Sequence, residues 1–293
     1  MDTIAIDNLQ EGDILLMMGD GPLSDLIAWA SDGTYSHAAM VVDQGELIEA
    51  SLAGVRRYPL AKRLGEVDHY HWVDAFRAHG DQGRPFDSGE RRLVREHAQA
   101  LLGAPYPVDQ LALFGAIMAL RGKWPAHPWA RKLVRLALDR AVPSESPAML
   151  CSEVVYRSWA ECAVEPRGRL APRIVEGERG RAPFPGIDWQ RLIDEMGPLL
   201  GTGAAGAGAR RTAPGLFGAE ALFEAGDDIS DEALDQASRR VLSQLQPDSH
   251  GLMRSAGTDT SLAHNPNPRL VSPQDLANSP GVGLLGRLMQ RSG

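Results

Sequence analysis

The sequence predicts an α+β domain, and three observations carry that prediction. Short strand-like segments fill roughly the first quarter of the chain. Helix-like segments take over from Ser88 to about Ala163. Two residues with nucleophile chemistry sit at element starts, Cys151 opening a helix and His37 opening a strand.

The first strand is residues 14–18, the apolar run Ile14-Leu15-Leu16-Met17-Met18 after the Gly12-Asp13 turn pair. In residues 22–31, Leu23, Leu26, Ile27 and Ala30 recur at helical spacing. After the Asp32-Gly33 turn, residues 37–43 and 45–52 read as a hairpin around Gln44-Gly45. Residues 67–76 alternate, with Val67, His69, His71 and Val73 on one face and Tyr70 and Trp72 on the other. Residues 88–102 read as a helix that Gly103 and Pro105 stop. Residues 108–142 form two helices broken at Pro125 and Pro128, since proline lacks the donor that a helix interior needs. The Cys151 helix runs to about Ala163.

Beyond Pro166 the character changes. Residues 201–213 contain only Gly, Ala, Arg and Thr, the composition of a flexible linker. Residues 230–246 can form a helix, and residues 247–268 are polar enough to expect disorder. Order returns at Val271. Ser272 suits an N-cap, Pro273 the first helical position, and Asp275 closes the capping pair. The apolar set Leu276, Val282, Leu284, Leu285 and Leu288 then predicts that this segment docks on the main domain.

Composition narrows the function classes. The net charge of -8 argues against nucleic acid as a partner. Cys151 and Cys162 lie about three helical turns apart on one helix, too far for a disulfide, so reduced thiols are expected. The first residues are acidic and lack the apolar core of a secretory signal, and no apolar run is long enough to span a bilayer. A cytoplasmic location is therefore expected, with export requiring a non-classical route.

A cysteine at a helix start has its thiolate favoured by free backbone N–H groups and the helix dipole. A histidine beside it can take the proton, which makes a nucleophile and base for acyl transfer. In that reading Cys151 attacks a carbonyl to form a thioester. His37 deprotonates the thiol and then protonates the leaving group, and the Cys151 N–H helps hold the oxyanion. Taken singly, Cys151 also fits a buried structural cysteine, and His37 a satisfied core histidine.

Read in order, the strand Gly12-Asp13-Ile14-Leu15-Leu16, the start Tyr35-Ser36-His37, Ile48-Glu49-Ala50, Gly103-Ala104-Pro105-Tyr106 and Leu150-Cys151-Ser152-Glu153 resemble the permuted papain-like hydrolases of the NlpC type. The resemblance is to the YiiX/YaeF-like amidases in particular, with lecithin:retinol acyltransferase more distant. It covers about residues 9–163 and resumes near Ser272. It implies a circularly permuted papain-like fold, with a small antiparallel sheet packed on helices. The implied division is a catalytic domain at 1–164, an insertion at 165–270 that could carry a protein partner, and a closing segment at 271–293.

The same resemblance implies that Glu49 orients the imidazole. Strand parity opposes it. A plain two-residue loop at Gln44-Gly45 pairs Met40 with Glu49 and turns the carboxylate away from His37, whereas a bulge or odd-length loop restores it. Tyr35 shares the His37 face and is expected to donate to the oxyanion, to line the cleft, or simply to pack. Tyr106 is expected as cleft wall. Glu153 belongs in the first turn of its helix, where a carboxylate complements the dipole. His69 and His71 form a His-x-His pair without an evident third ligand, so no metal or other cofactor is expected.

Residues 111–140 speak to the substrate. An apolar half is followed by Arg121, Lys123, Trp124, Trp129, Arg131, Lys132, Arg135 and Arg140. Tryptophans among cations suit a membrane interface, so Trp124 and Trp129 are expected to meet a lipid or acyl substrate, with peripheral membrane contact. The alternatives are an inserted helical pair that caps the core, a peptide amidase acting on cell-wall peptides, and a catalytically silent binding module on the same fold.

Overall fold

The computed structural model describes residues 2–51, 53–105, 110–141, 149–175, 183–201, 229–245 and 266–292. Tyr106 and most of the expected linker and polar stretch lie outside the described residues. The architecture is α+β. Among the described residues, six strands form one antiparallel sheet, β1 (Ile14–Gly19), β2 (His37–Asp43), β3 (Glu46–Ser51), β4 (Gly54–Pro59), β5 (Tyr70–Ala78) and β6 (Val282–Gln290). Their order across the sheet is β4-β3-β2-β1-β5-β6.

β1 is apolar throughout because it is central and covered on both faces, and Ile14, Leu15, Leu16 and Met17 are all fully buried. On one face Ile14, Leu16, Met40, Ile48 and Phe76 join the main core. On the other, Leu15, Met17, Val41, Leu47 and Val73 meet Leu60 and Met289 in a smaller cluster. The helices α1 (Pro22–Ala30), α3 (Ser88–Ala100), α4 (Gln110–Arg121), α5 (Pro128–Ala141) and α6 (Cys151–Ala160) contribute to the main core. α6 packs on β2, β3 and α3.

α4 and α5 form the hairpin that the prolines predict. They cross closely at Gly115, where a Cβ would sit 2.0 Å from the Ala137 carbonyl oxygen. Two helices from the later part of the chain, α7 (Trp189–Gly201) and α8 (Asp231–Leu245), complete this layer. α7 packs on α1, and Glu195 accepts the Leu23 N–H at 3.2 Å, placing a carboxylate at the positive end of α1. α8 packs across α4 and α5. The helix expected at residues 230–246 is α8, which begins one residue later than expected.

Three expectations need correction. The strand expected at 67–76 is β5, which starts at Tyr70, because Glu66 to His69 form a turn closed by the His69 N–H on the Glu66 carbonyl at 3.0 Å. β4 and the short helix α2 (Leu60–Gly65) were not anticipated. The closing segment begins as expected, with α9 (Pro273–Asn278) capped by Ser272 and Asp275. It then continues as an extended edge strand, β6, on β5. Val282 is buried but Leu284, two residues on, is exposed on a strand whose register with β5 is broken by irregularities, so ladder hydrogen bonds do part of the docking that the apolar set was expected to do.

Candidate active site

Three elements bring the site together. β2 begins at His37 because Ser36 ties the strand start to β1, its Oγ accepting the Gly19 N–H at 2.9 Å. His37 then pairs with Met17 across the ladder. α6 begins at Cys151. Its first turn is fixed by Glu153, whose carboxylate accepts the Leu150 N–H at 3.1 Å, and by Ser152, which donates to the Val271 carbonyl at 2.6 Å. Glu153 thus takes the first-turn role expected of it. The closing segment is tied directly to the helix that carries the cysteine.

Glu49 reaches His37 through a bulge. Asp43 pairs with Glu46, as a two-residue loop requires, but the register slips between Val41 and Asp43. Val42 is the extra residue. Beyond it Val41 pairs with Leu47 and Ala39 with Glu49, which moves Glu49 onto the His37 face. His37 Nε2 lies 3.3 Å from Glu49 Oε2. The imidazole also interacts with the Cys151 thiol.

The electrostatics are those of an activated thiol. Burial opposes the Cys151 thiolate, yet the facing His37 and the backbone N–H groups of Ala38 and Ser152 outweigh it and hold the thiol below its ordinary value. Burial likewise opposes the His37 imidazolium, but the Cys151 and Glu49 charges raise it to about 9. Glu49 is fully buried, and against that burial His37, Arg63 and Arg56 depress it to about 2.

Arg56, Arg63 and Tyr70 are site residues that sequence reasoning missed. Arg56 on β4 donates twice to Glu49 Oε1, at 3.1 and 2.8 Å. Arg63 on α2 donates to Glu49 Oε2, the oxygen that also faces His37. Tyr70 at the start of β5 lies with its ring 6.4 Å from that of His37. A signal was available, since a β3–β4 hairpin would set Arg56 opposite Glu49 and Arg57 opposite Ile48, which is the observed register.

The other expected site residues that are described have partners of their own. Tyr35 is buried, its ring stands edge-on to Phe76 at 5.7 Å, and its hydroxyl donates to Asp74 at 2.9 Å. Of the roles expected for it, packing is the one the geometry fits, because that donor is taken. Trp124 packs on the main core and donates from Nε1 to Asp235 at 2.8 Å. Trp129 is 37% exposed and stands against His127 and Trp189, with ring separations of 6.4 and 5.8 Å. His71 lies 3.3 Å from Asp20, while His69 sits in the turn before β5. Among the described residues, no helix is long and apolar enough to cross a membrane.

No family model and no curated protein matches the chain. A solved structure does resemble it, that of the metalloprotein YiiX from Escherichia coli O157:H7, a DUF1105 protein. The likeness is at 16% identity and a TM-score of 0.43, covering 96% of this chain and 98% of that one.

Proposed function

We propose that this protein is a cysteine hydrolase or acyltransferase on a permuted papain-like fold, cleaving an amide or ester through a thioester on Cys151. One observation carries the reading: His37 stands between the Cys151 thiol and a buried, ionised Glu49. His37 takes the thiol proton, and the resulting imidazolium is held by Glu49. The thiolate attacks a carbonyl, and the imidazolium returns the proton to the leaving group. The Ser152 and Ala38 N–H groups already point at the sulfur, and the Cys151 N–H at the helix start supplies a donor for the oxyanion.

A lipid or acyl substrate remains the first reading, with peripheral membrane contact, and Trp129 is its main support. The cations expected to face anionic lipid are Arg131, Lys132 and Arg135, and of these Arg131 and Arg135 each pair with an acid of this chain. That pairing favours a second reading, a soluble amide or peptide, including a cell-wall peptide.

An acyl-donating thiol probe tests the chemistry. It should label Cys151 much faster than Cys162, whose thiol burial pushes up. Equal labelling of the two would leave a silent binding module as the better description. The mass of the adduct trapped on a His37→Ala variant, after exposure to pools of acyl lipids and of peptide amides, then separates the two substrate classes.

A further inference from the structure

We propose that Arg63 is a positioning residue: it clamps the Glu49 carboxylate in the orientation that faces His37, and so sets the protonation balance of the Cys151–His37 pair. The inference rests on the reading of Cys151 as nucleophile and deepens it.

The geometry is unusual for an ordinary ion pair. Arg63 is 5% exposed, on a helix of one and a half turns that the sequence gives little reason to form. One arm of its guanidinium donates to Glu49 Oε2 and the other to Glu66. Its guanidinium carbon lies 4.7 Å from the Tyr58 ring centroid and 5.0 Å from that of Tyr70. Tyr58 also donates to Glu66, so the far end of the fork is itself anchored. Its buried Nε meets no acceptor among the described residues. A buried guanidinium with an unsatisfied N–H is poor value as a plain stability device. It is well placed to fix one carboxylate oxygen.

That oxygen is the one at stake. Among the described residues Arg56 alone donates to Oε1, and Arg63 shares Oε2 with His37. The charged and titratable groups around the cluster come from five elements. They are His37 on β2, Arg56 and Tyr58 on β4, Arg63 on α2 with Glu66 just beyond, Tyr70 on β5 and Cys151 on α6. With Arg63 present, Glu49 is pinned at both oxygens and its Oε2 has one direction in which to meet the imidazole. Without it, the carboxylate can swing towards Arg56 and leave His37 unsupported. The imidazolium then weakens, and the thiolate needs a higher pH to form.

The test uses the full-length protein and iodoacetamide, so it needs no knowledge of the substrate. Cys151 alkylation is followed against pH in the wild type, Arg63→Met, Arg63→Lys, Glu49→Gln and the Arg63→Met/Glu49→Gln double variant, with thermal melts alongside. Arg63→Met should move the acid limb of the profile up by about one pH unit. Glu49→Gln should move it in the same direction. The double variant should match Glu49→Gln alone, because Arg63 acts through that carboxylate, and Arg63→Lys should restore part of the shift. A folded Arg63→Met protein with the wild-type profile would overturn the proposal. So would an undiminished Arg63 effect in the Glu49→Gln background, which would mean that the arginine acts by its own field. If Arg63→Met does not fold, Glu66→Gln releases the far arm of the fork, and it should give a smaller upward shift. An unchanged profile in that variant would also overturn the proposal. A wild-type Cys151 no faster than Cys162 at neutral pH would defeat the nucleophile reading itself, a result separate from all of these.

Discussion

The hairpin region of residues 37–66 and the helical layer built on α4 and α5 use the same side chains to opposite ends. In the hairpin region Arg56 and Arg63 converge on one buried carboxylate, Glu49. In the helical layer four cations go to four different acids. Arg121 pairs with Asp275, Lys123 with Asp32, Arg131 with Asp231 and Arg135 with Asp139. Convergent charge holds a group in a chosen protonation state, because moving either partner changes the field at a buried site. Distributed charge ties elements together. Three of those four pairs join α4, α5 or their connection to segments distant in the chain. A cation-rich stretch in a sequence therefore says little about its partners until it is known whether the charges meet outside acids or inside ones.

The comparison breaks most readily at Arg121. Its pair with Asp275 is buried on both sides, with side-chain exposures of 6% and 5%, and it fastens α4 to the cap of α9. Arg121→Met leaves Asp275 buried with its charge uncompensated, and such a loss costs about 3–5 kcal/mol. Urea unfolding should show that drop, and it should carry the closing segment with it. A midpoint within error of the wild type would mean that the helical layer does not depend on its ion pairs.

A smaller effect sharpens the other side. Glu49 is depressed to about 2, burial opposing and His37, Arg63 and Arg56 prevailing. An unfolded glutamate titrates at about 4.3. The stability that ionised Glu49 contributes is therefore fully present above that value and is lost as pH falls towards about 2. Between these limits the wild type should lose stability faster with acid than Glu49→Gln does. Parallel curves for the two proteins would show that the converging arginines do not hold that carboxylate ionised.

The sequence made much of this legible where periodicity and punctuation agree. The Gln44-Gly45 hairpin, the proline break between α4 and α5, and the Ser272-Pro273-x-Asp275 cap each combine a repeat with a specific turn or cap residue. The cysteine and histidine were found because their positions, a helix start and a strand start, have chemical consequences. The Val42 bulge was visible only as a parity conflict, since nothing in Val41-Val42-Asp43 marks one residue as extra. β4 and α2 were missed for a plainer reason. Val55-Arg56-Arg57-Tyr58 reads as a polar loop until the buried carboxylate opposite Arg56 is known, and a six-residue helix is too short to show a period. Tyr35 was drawn towards the site by its parity with His37, but its ring reaches across to Asp74 instead.

The smallest effect is expected at Arg135, and it tests whether distributed charge matters pair by pair. Arg135 and Asp139 lie one turn apart on α5, with side-chain exposures of 34% and 44%. Solvent screens such a pair, and holding two long side chains in one geometry costs entropy that offsets most of the attraction. Exposed pairs at this spacing contribute about 0.3–0.5 kcal/mol. Asp139 also has Arg240 of α8 within 3.7 Å, so removing Arg135 does not leave it without a cation. Arg135→Ala should therefore lower stability by no more than about 0.5 kcal/mol, and the residual should shrink further in high salt. A loss several times larger, insensitive to salt, would mean that the aliphatic stem of Arg135 packs between α5 and α8. The helical layer would then be held by apolar contact where the ion pairs are drawn.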